Sequence, residues 1–224
     1  MRRRLYENGL SLVMFALFAI TLAGQSFAGL AVYNQEQEEH GGDMLGYASY
    51  LASPHFVEAV FENWESEFLQ MAAYVVLTVV LRQKGSPESK KLKGEGEEDV
   101  DADPREHQGD KDAPWPVRQG GFVLTVYQHS LSLTLLLFFV VSFALHAAGG
   151  AREYGEEQSQ HGGQPLTSTL AYVGTSRFWF ESLQNWQSEF LSVGLLVVLS
   201  VYLRQRGSPE SKPVHGRHSE TGRE

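Results

Sequence analysis

Asn63-Trp64-Glu65-Ser66-Glu67-Phe68-Leu69 returns later in the chain as Asn185-Trp186-Gln187-Ser188-Glu189-Phe190-Leu191, at an offset of 122. At the same offset, Leu81-Arg82-Gln83-Lys84-Gly85-Ser86-Pro87-Glu88-Ser89-Lys90 returns as Leu203-Arg204-Gln205-Arg206-Gly207-Ser208-Pro209-Glu210-Ser211-Lys212, with Arg for Lys as its one change. Upstream the offset is 121: Tyr6 matches Tyr127, Ser11 matches Ser132, and His40-Gly41-Gly42 matches His161-Gly162-Gly163. Agreement of this length reads as an internal duplication with one residue inserted in the second copy.

Each copy contains an apolar run, a polar loop and a second apolar run. No charged residue lies between Glu7 and Glu36, nor between Arg118 and Arg152. The runs Leu10–Val32 and Phe122–Ala148 inside those gaps exceed the roughly 20 residues that cross a bilayer core. Phe68–Leu81 and Phe190–Leu203 are only 14 residues long. Aromatic residues precede them (Phe61 and Trp64; Phe178, Trp179 and Trp186) and Arg82 or Arg204 follows, as at the two ends of a membrane helix. Arg2, Arg3 and Arg4 before the first run, with Ser26-Phe27-Ala28 behind it, also fit a cleaved leader. The related segment in mid-chain, where no leader acts, favours a retained helix. The predicted fold is all-α, a four-helix transmembrane bundle built from two parallel two-helix repeats. Two crossings return the chain to its starting side, so the copies share one orientation.

Basic residues set that orientation. Arg2, Arg3, Arg4, Arg82, Lys84, Lys90, Lys91, Arg118, Arg204, Arg206, Lys212 and Arg217 lie on one side, against Arg152 and Arg177 on the other. The positive-inside rule puts both termini in the cytoplasm and the loops 33–53 and 151–175 outside. The domains expected are a first membrane unit at 1–92, a disordered acidic cytoplasmic linker at 93–117, a second membrane unit at 118–212 and a disordered tail at 213–224. The linker section from Lys93 to Asp112 holds nine acidic and three basic residues and cannot bury a core. Ser53-Pro54 reads as an N-cap followed by proline at the first helical position, and Thr175 or Ser176 marks the matching start.

Over all 224 residues these parts cancel. The net charge is −9, the pI about 5.4 and the mean hydropathy −0.24, values of an ordinary acidic soluble protein. Net acidity argues against binding nucleic acid by counterion release. The chain has no cysteine, which excludes disulfides, Cys-ligated metal and a Cys nucleophile. It has no nucleophile elbow, phosphate loop or HExxH motif, so neither an enzyme activity nor a cofactor is indicated.

The start Glu7 to Leu12, Tyr33-Asn34 with the acidic stretch and His40-Gly41-Gly42 behind it, the run Phe61 to Phe68, and Leu81 to Ser86 resemble an uncharacterised bacterial integral-membrane family, a domain of unknown function. The resemblance covers nearly the whole chain outside the acidic linker and the last dozen residues. It implies a bacterial inner-membrane location and brings no activity, cofactor or partner.

Four sets of residues carry candidate chemistry. Asn63, Glu67 and Gln70 form a polar stripe at helical spacing, and Asn185, Glu189 and Ser192 repeat it. Carboxylates one to two turns inside a membrane are a site hypothesis for a cation or proton; the bland reading puts them at the headgroups or against a neighbouring helix. Trp64 and Trp186 read as interfacial anchors. Glu36 with His40, and Glu157 with His161, are i,i+4 pairs that suit a transition metal, although Gly-Gly after each His fits a solvated turn equally. Gln25 and His146 align between the copies and read as interhelical hydrogen-bonding groups. The expected function is a structural or accessory membrane protein whose partners are the lipid bilayer and a protein or second copy of itself. A small cation or proton channel using the Glu67/Glu189 stripe is the alternative.

Overall fold

A computed structural model describes residues 2–92, 103–160 and 168–221. Among them the secondary structure is all-helical, with no strand. Nine α-helices follow in order: α1 (Arg2–Glu7), α2 (Gly9–His40), α3 (Tyr47–Tyr50), α4 (Pro54–Val80), α5 (Trp115–Gln119), α6 (Gly121–Gln128), α7 (Ser130–Gln160), α8 (Thr169–Val173) and α9 (Ser176–Tyr202). The starts of α4 and α9 have the capping that their sequences specify. Ser53 Oγ accepts from the Phe56 N–H at 3.2 Å, with Pro54 opening α4, and Thr175 Oγ1 accepts from the Phe178 N–H at 3.3 Å.

Two helices, Gly9–His40 and Ser130–Ser159, are long and apolar enough to cross a membrane. The four spans expected reduce to two on this criterion. In α4 the charges Glu58, Glu62, Glu65 and Glu67 crowd the first half, and Arg177, Glu181 and Glu189 do the same in α9. Both helices have 27 residues, about 40 Å at ~1.5 Å each, but only their second halves are apolar.

The chain divides into two compact units, residues 1–62 with 143–179 and residues 63–142 with 180–224. The division does not follow the two sequence copies, because α4, α7 and α9 each contribute to both units. In the first unit, residues 41–53 fold back on α2. Asn34 and Leu45 exchange two hydrogen bonds, Nδ2 to the carbonyl at 3.0 Å and the Leu45 N–H to Oδ1 at 2.8 Å. Tyr47 stacks on Phe27 with ring centres 4.7 Å apart and bonds Ser26 Oγ at 2.8 Å. The core is Ala147, Tyr172 and Phe178, with Phe143 and Tyr154 packed against it.

In the second unit the two Arg-Gln-Lys/Arg-Gly-Ser-Pro-Glu-Ser-Lys stretches form the same turn. The N–H of Gln83 donates to Ser89 Oγ at 2.8 Å, and that of Gln205 to Ser211 Oγ at 2.9 Å. Gly85 and Gly207 share a φ of 82°, a conformation that side-chain-bearing residues seldom adopt.

Parts of the linker and of the tail are among the described residues. Of the linker, residues 93–102 lie outside the described residues; 103–117 contain a 3₁₀ turn at Pro104–His107, capped by Asp103, and the start of α5. Of the tail, residues 213–221 are packed: Thr221 is buried and its Oγ1 accepts from the Gly85 N–H at 3.0 Å. Backbone and capping hydrogen bonds hold both segments, and Val117 of α5 is buried.

Candidate functional site

The polar groups that the structure buries are not those of the expected stripe. On α4, Asn63 and Glu67 are exposed, Gln70 is half-buried, and Glu65 is 0% exposed. Two residues at about 100° each turn the helix by roughly 200°, so Glu65 and Glu67 point to opposite sides. Glu58, Glu65 and Ala72 are all buried and spaced by seven, which places them on one seam of α4. On α9, Asn185 and Glu189 are half-buried, and Ser192 is exposed with its hydroxyl turned back onto the Glu189 carbonyl at 2.8 Å.

In the second unit Glu65 is held by an expected anchor. Trp186 Nε1–H donates to Glu65 Oε1 at 3.1 Å, and the indole lies edge-on to Phe139 at 6.2 Å. Trp186 therefore serves as an interhelical donor as well as an aromatic wall; Trp64 is half-buried. Beyond this bond, α4 and α9 line a cleft of about 430 Å³. Gln70 and Tyr74 are followed there by Leu77, Val193, Gly194 and Val197.

The first unit buries a second carboxylate. Glu58 is 9% exposed and accepts from Tyr172 Oη at 3.3 Å. His146, 0% exposed, stacks on Phe178 at 4.9 Å, and one of its ring nitrogens lies within 4.8 Å of a Glu58 carboxylate oxygen. The backbone of α7 comes close enough for this only because it carries Gly149-Gly150. A Cβ on Gly149 would stand 2.8 Å from the Glu58 nitrogen, and one on Gly150 would stand 2.5 Å from Tyr172 Cε1. His146 is a packed, buried imidazole, whereas its counterpart Gln25 is exposed.

Of the expected metal residues, Glu36, His40 and Glu157 are described. α2 does continue through His40, ending at Gly41 with φ 71°, so Glu36 and His40 share a helical turn. His40 Nδ1, however, lies 2.8 Å from the Glu36 backbone carbonyl. Glu157 is paired with Arg177, whose guanidinium also lies 5.3 Å over the Tyr154 ring. His161 lies outside the described residues. Beside them is a carboxyl that the sequence did not single out. Glu153, in the charged extension of α7 beyond the apolar run 122–148, has a buried Oε2 without a hydrogen-bond partner among the described residues. Burial pushes its pKa up to about 7, reinforced by the Glu156, Glu36 and Glu157 charges and opposed by Arg177.

At the other end of α4 and α9 the tail is gathered by Lys212. This residue is 5% exposed and donates from Nζ to the carbonyls of Arg217, His218 and Glu220 at 3.0, 3.1 and 3.0 Å. Burial and the neighbouring Arg204 guanidinium pull its pKa below the ordinary lysine value. His218 Nδ1 lies 3.0 Å from the Val201 carbonyl, so the tail closes over the end of α9.

Among the described residues these arrangements hold most of the named polar groups in fixed contacts, with Glu153 Oε2 buried and unbonded. Among known proteins, the family described as Domain of unknown function (DUF6766) matches residues 1–223. No curated protein and no solved structure matches the chain.

Proposed function

The chain belongs to this family of unknown function, and from that premise we propose that it is a multipass integral membrane protein with a structural or accessory role. The observation that carries the membrane reading is the exposure of its most apolar helices. Only 6% of the apolar window in α2 and 17% of that in α7 is buried. Leu10, Phe15, Ile20, Phe27, Leu137 and Val140 all stand exposed. In water such surfaces would be covered by a core; in a bilayer they face lipid.

The finer reading is four crossings in two parallel two-helix units, with both termini on the cytoplasmic side of a bacterial inner membrane. It rests on the basic residues that follow α4 and α9 and on the recurrence of the whole pattern. On this reading α4 and α9 cross with their apolar halves, and their charged first turns sit at the outer headgroups.

A structural role is favoured over conduction by the α4–α9 cleft. Its lining is mostly apolar, with Leu77, Phe190, Val193, Val197 and Val198 beside Gln70 and Tyr74, and Thr78, Arg82, Gln83, Glu88 and Ser89 are its other polar residues. The buried carboxylate above it is engaged by Trp186, as an interhelical fastener would be. The partner is a second copy of the chain or another membrane protein, met through the apolar faces of α2 and α7.

Crosslinking in native membranes, followed by purification of the full chain, tests this. A discrete crosslinked species is expected, and proteoliposomes should pass protons and monovalent cations no faster than empty vesicles. Flux that disappears in Glu67→Gln/Glu189→Gln would replace this reading with the channel.

A further inference from the structure

The basic ends of α4 and α9, with the folded tail, enclose a cleft of about 730 Å³ in the second unit. That size falls within the roughly 300–1,000 Å³ of small-ligand sites. Four basic side chains line it, Lys84, Lys91, Lys212 and Arg217, against one carboxylate, Glu220. His215 adds a further nitrogen base to the wall.

The cleft is built and not merely a patch of surface lysines. Its frame comes from both Gly-Ser-Pro turns, with Pro87, Pro209 and Pro213 in the walls. Ser86 is 0% exposed and bonds Ser200 at 3.4 Å. Gly85 lets the tail approach: a Cβ there would stand 2.3 Å from the His218 carbonyl. Lys212 is used up in tying three tail carbonyls, but its charge remains. Lys84, Lys91 and Arg217 add their charges to the same lining. Glu220 Oε2 accepts from the Arg217 N–H at 3.1 Å, which fixes the one opposing carboxylate to the backbone.

We propose that this cleft binds a phosphate-bearing anion, the headgroup of an anionic phospholipid at the cytoplasmic face. The source is indicated by position. The last apolar residues of both helices, Leu81 and Leu203, are exposed directly before the basic turns. A lipid whose acyl chains lie along those residues brings its phosphate to the level of Lys84 and Lys91. Basic pockets at the cytoplasmic ends of membrane helices hold such headgroups, and each Lys or Arg adds roughly a factor of five in affinity. This inference rests on the membrane reading above and adds a ligand to it.

The experiment titrates the purified full chain in detergent by native mass spectrometry with phosphatidylglycerol, phosphatidylcholine of the same acyl chains, and inorganic phosphate. Phosphatidylglycerol should bind in preference to phosphatidylcholine. Lys84→Gln/Lys91→Gln/Arg217→Gln should weaken it by about a hundredfold, with an unchanged melting temperature. Arg105→Gln/Lys111→Gln, which removes charge elsewhere, should leave it intact. Inorganic phosphate binding as tightly as the lipid, and lost in the same triple variant, would keep the phosphate site and overturn the lipid as its source. Equal affinity for the two lipids with no phosphate binding, or a triple variant that binds as wild type, overturns the proposal. Alkaline carbonate washing of membranes separates the two readings: release of the chain defeats the membrane reading, whereas retention without headgroup discrimination defeats only this inference.

Discussion

The indole N–H of Trp186 on α9 reaches the carboxylate of Glu65 on α4 at 3.1 Å, and Glu65 is wholly buried. The two residues hold adjacent positions of the recurring Asn-Trp-x-Ser-Glu-Phe pattern, since Trp186 aligns with Trp64, immediately before Glu65. The second copy carries Gln187 where the first has Glu65. The contact is therefore one-sided: the two stretches are alike in sequence, but one supplies the donor and the other the acceptor.

Trp186→Phe keeps most of the ring and removes the donor. It is expected to lower stability in detergent by about 1–2 kcal/mol. Glu65→Gln retains an acceptor and should cost less. In the double variant the loss should fall short of the sum of the single losses. Strictly additive losses in thermal unfolding would show that the two groups do not interact.

Gly149→Ala tests the close approach in the first unit. The added Cβ meets backbone, the Glu58 nitrogen at 2.8 Å and the Pro54 carbonyl at 3.1 Å, and neither can swing away as a side chain would. A loss of about 1–3 kcal/mol is expected from this overpacking. Gly24→Ala, where the added Cβ meets nothing within 4 Å, is the matched control in α2. Equal melting temperatures for the two variants would refute the constraint.

The all-helical character and the starts of α4 and α9 were legible in the sequence because uncharged runs and Ser53-Pro54 each leave a local signal. The buried face of α4 was not. The stripe Asn63, Glu67 and Gln70 satisfies helical spacing, but so does the seam Glu58, Glu65 and Ala72, and spacing alone cannot say which side meets a neighbour. A seven-residue step shared by two carboxylates and an alanine was the available hint. Glu153 was illegible for a different reason. Its environment is set by Glu36 on α2 and Arg177 on α9, residues distant in sequence. The tail was misread because Lys212, counted as one more cytoplasmic charge, acts as a donor to backbone.

Lys212→Met should free that tail. Three carbonyls lose a charged donor, worth about 2 kcal/mol after the gain of an apolar side chain in a buried position. Tryptic cleavage after Arg217 should then rise roughly thirtyfold, while far-UV circular dichroism stays unchanged. An unaltered cleavage rate would mean that the Gly85–Thr221 hydrogen bond alone secures the segment.

Glu153 sets a pH dependence whose sign follows from its raised pKa. In the unfolded chain the carboxyl titrates near the ordinary glutamate value of 4.5; in the folded chain its pKa is pushed up to about 7. Between these values the folded state binds more protons than the unfolded state, so stability falls as pH rises through the window. Below 4.5 the contribution is complete, and above 7 it is gone, leaving a charged Glu153 among Glu36, Glu156 and Glu157 with Arg177 as the opposing cation. Glu153→Gln removes the titration. It should raise the melting temperature at pH 8, leave it nearly unchanged at pH 4.5, and flatten the profile between. The comparison needs wild type and variant in the same detergent across that range. A variant that parallels wild type at every pH would place the titrating group elsewhere.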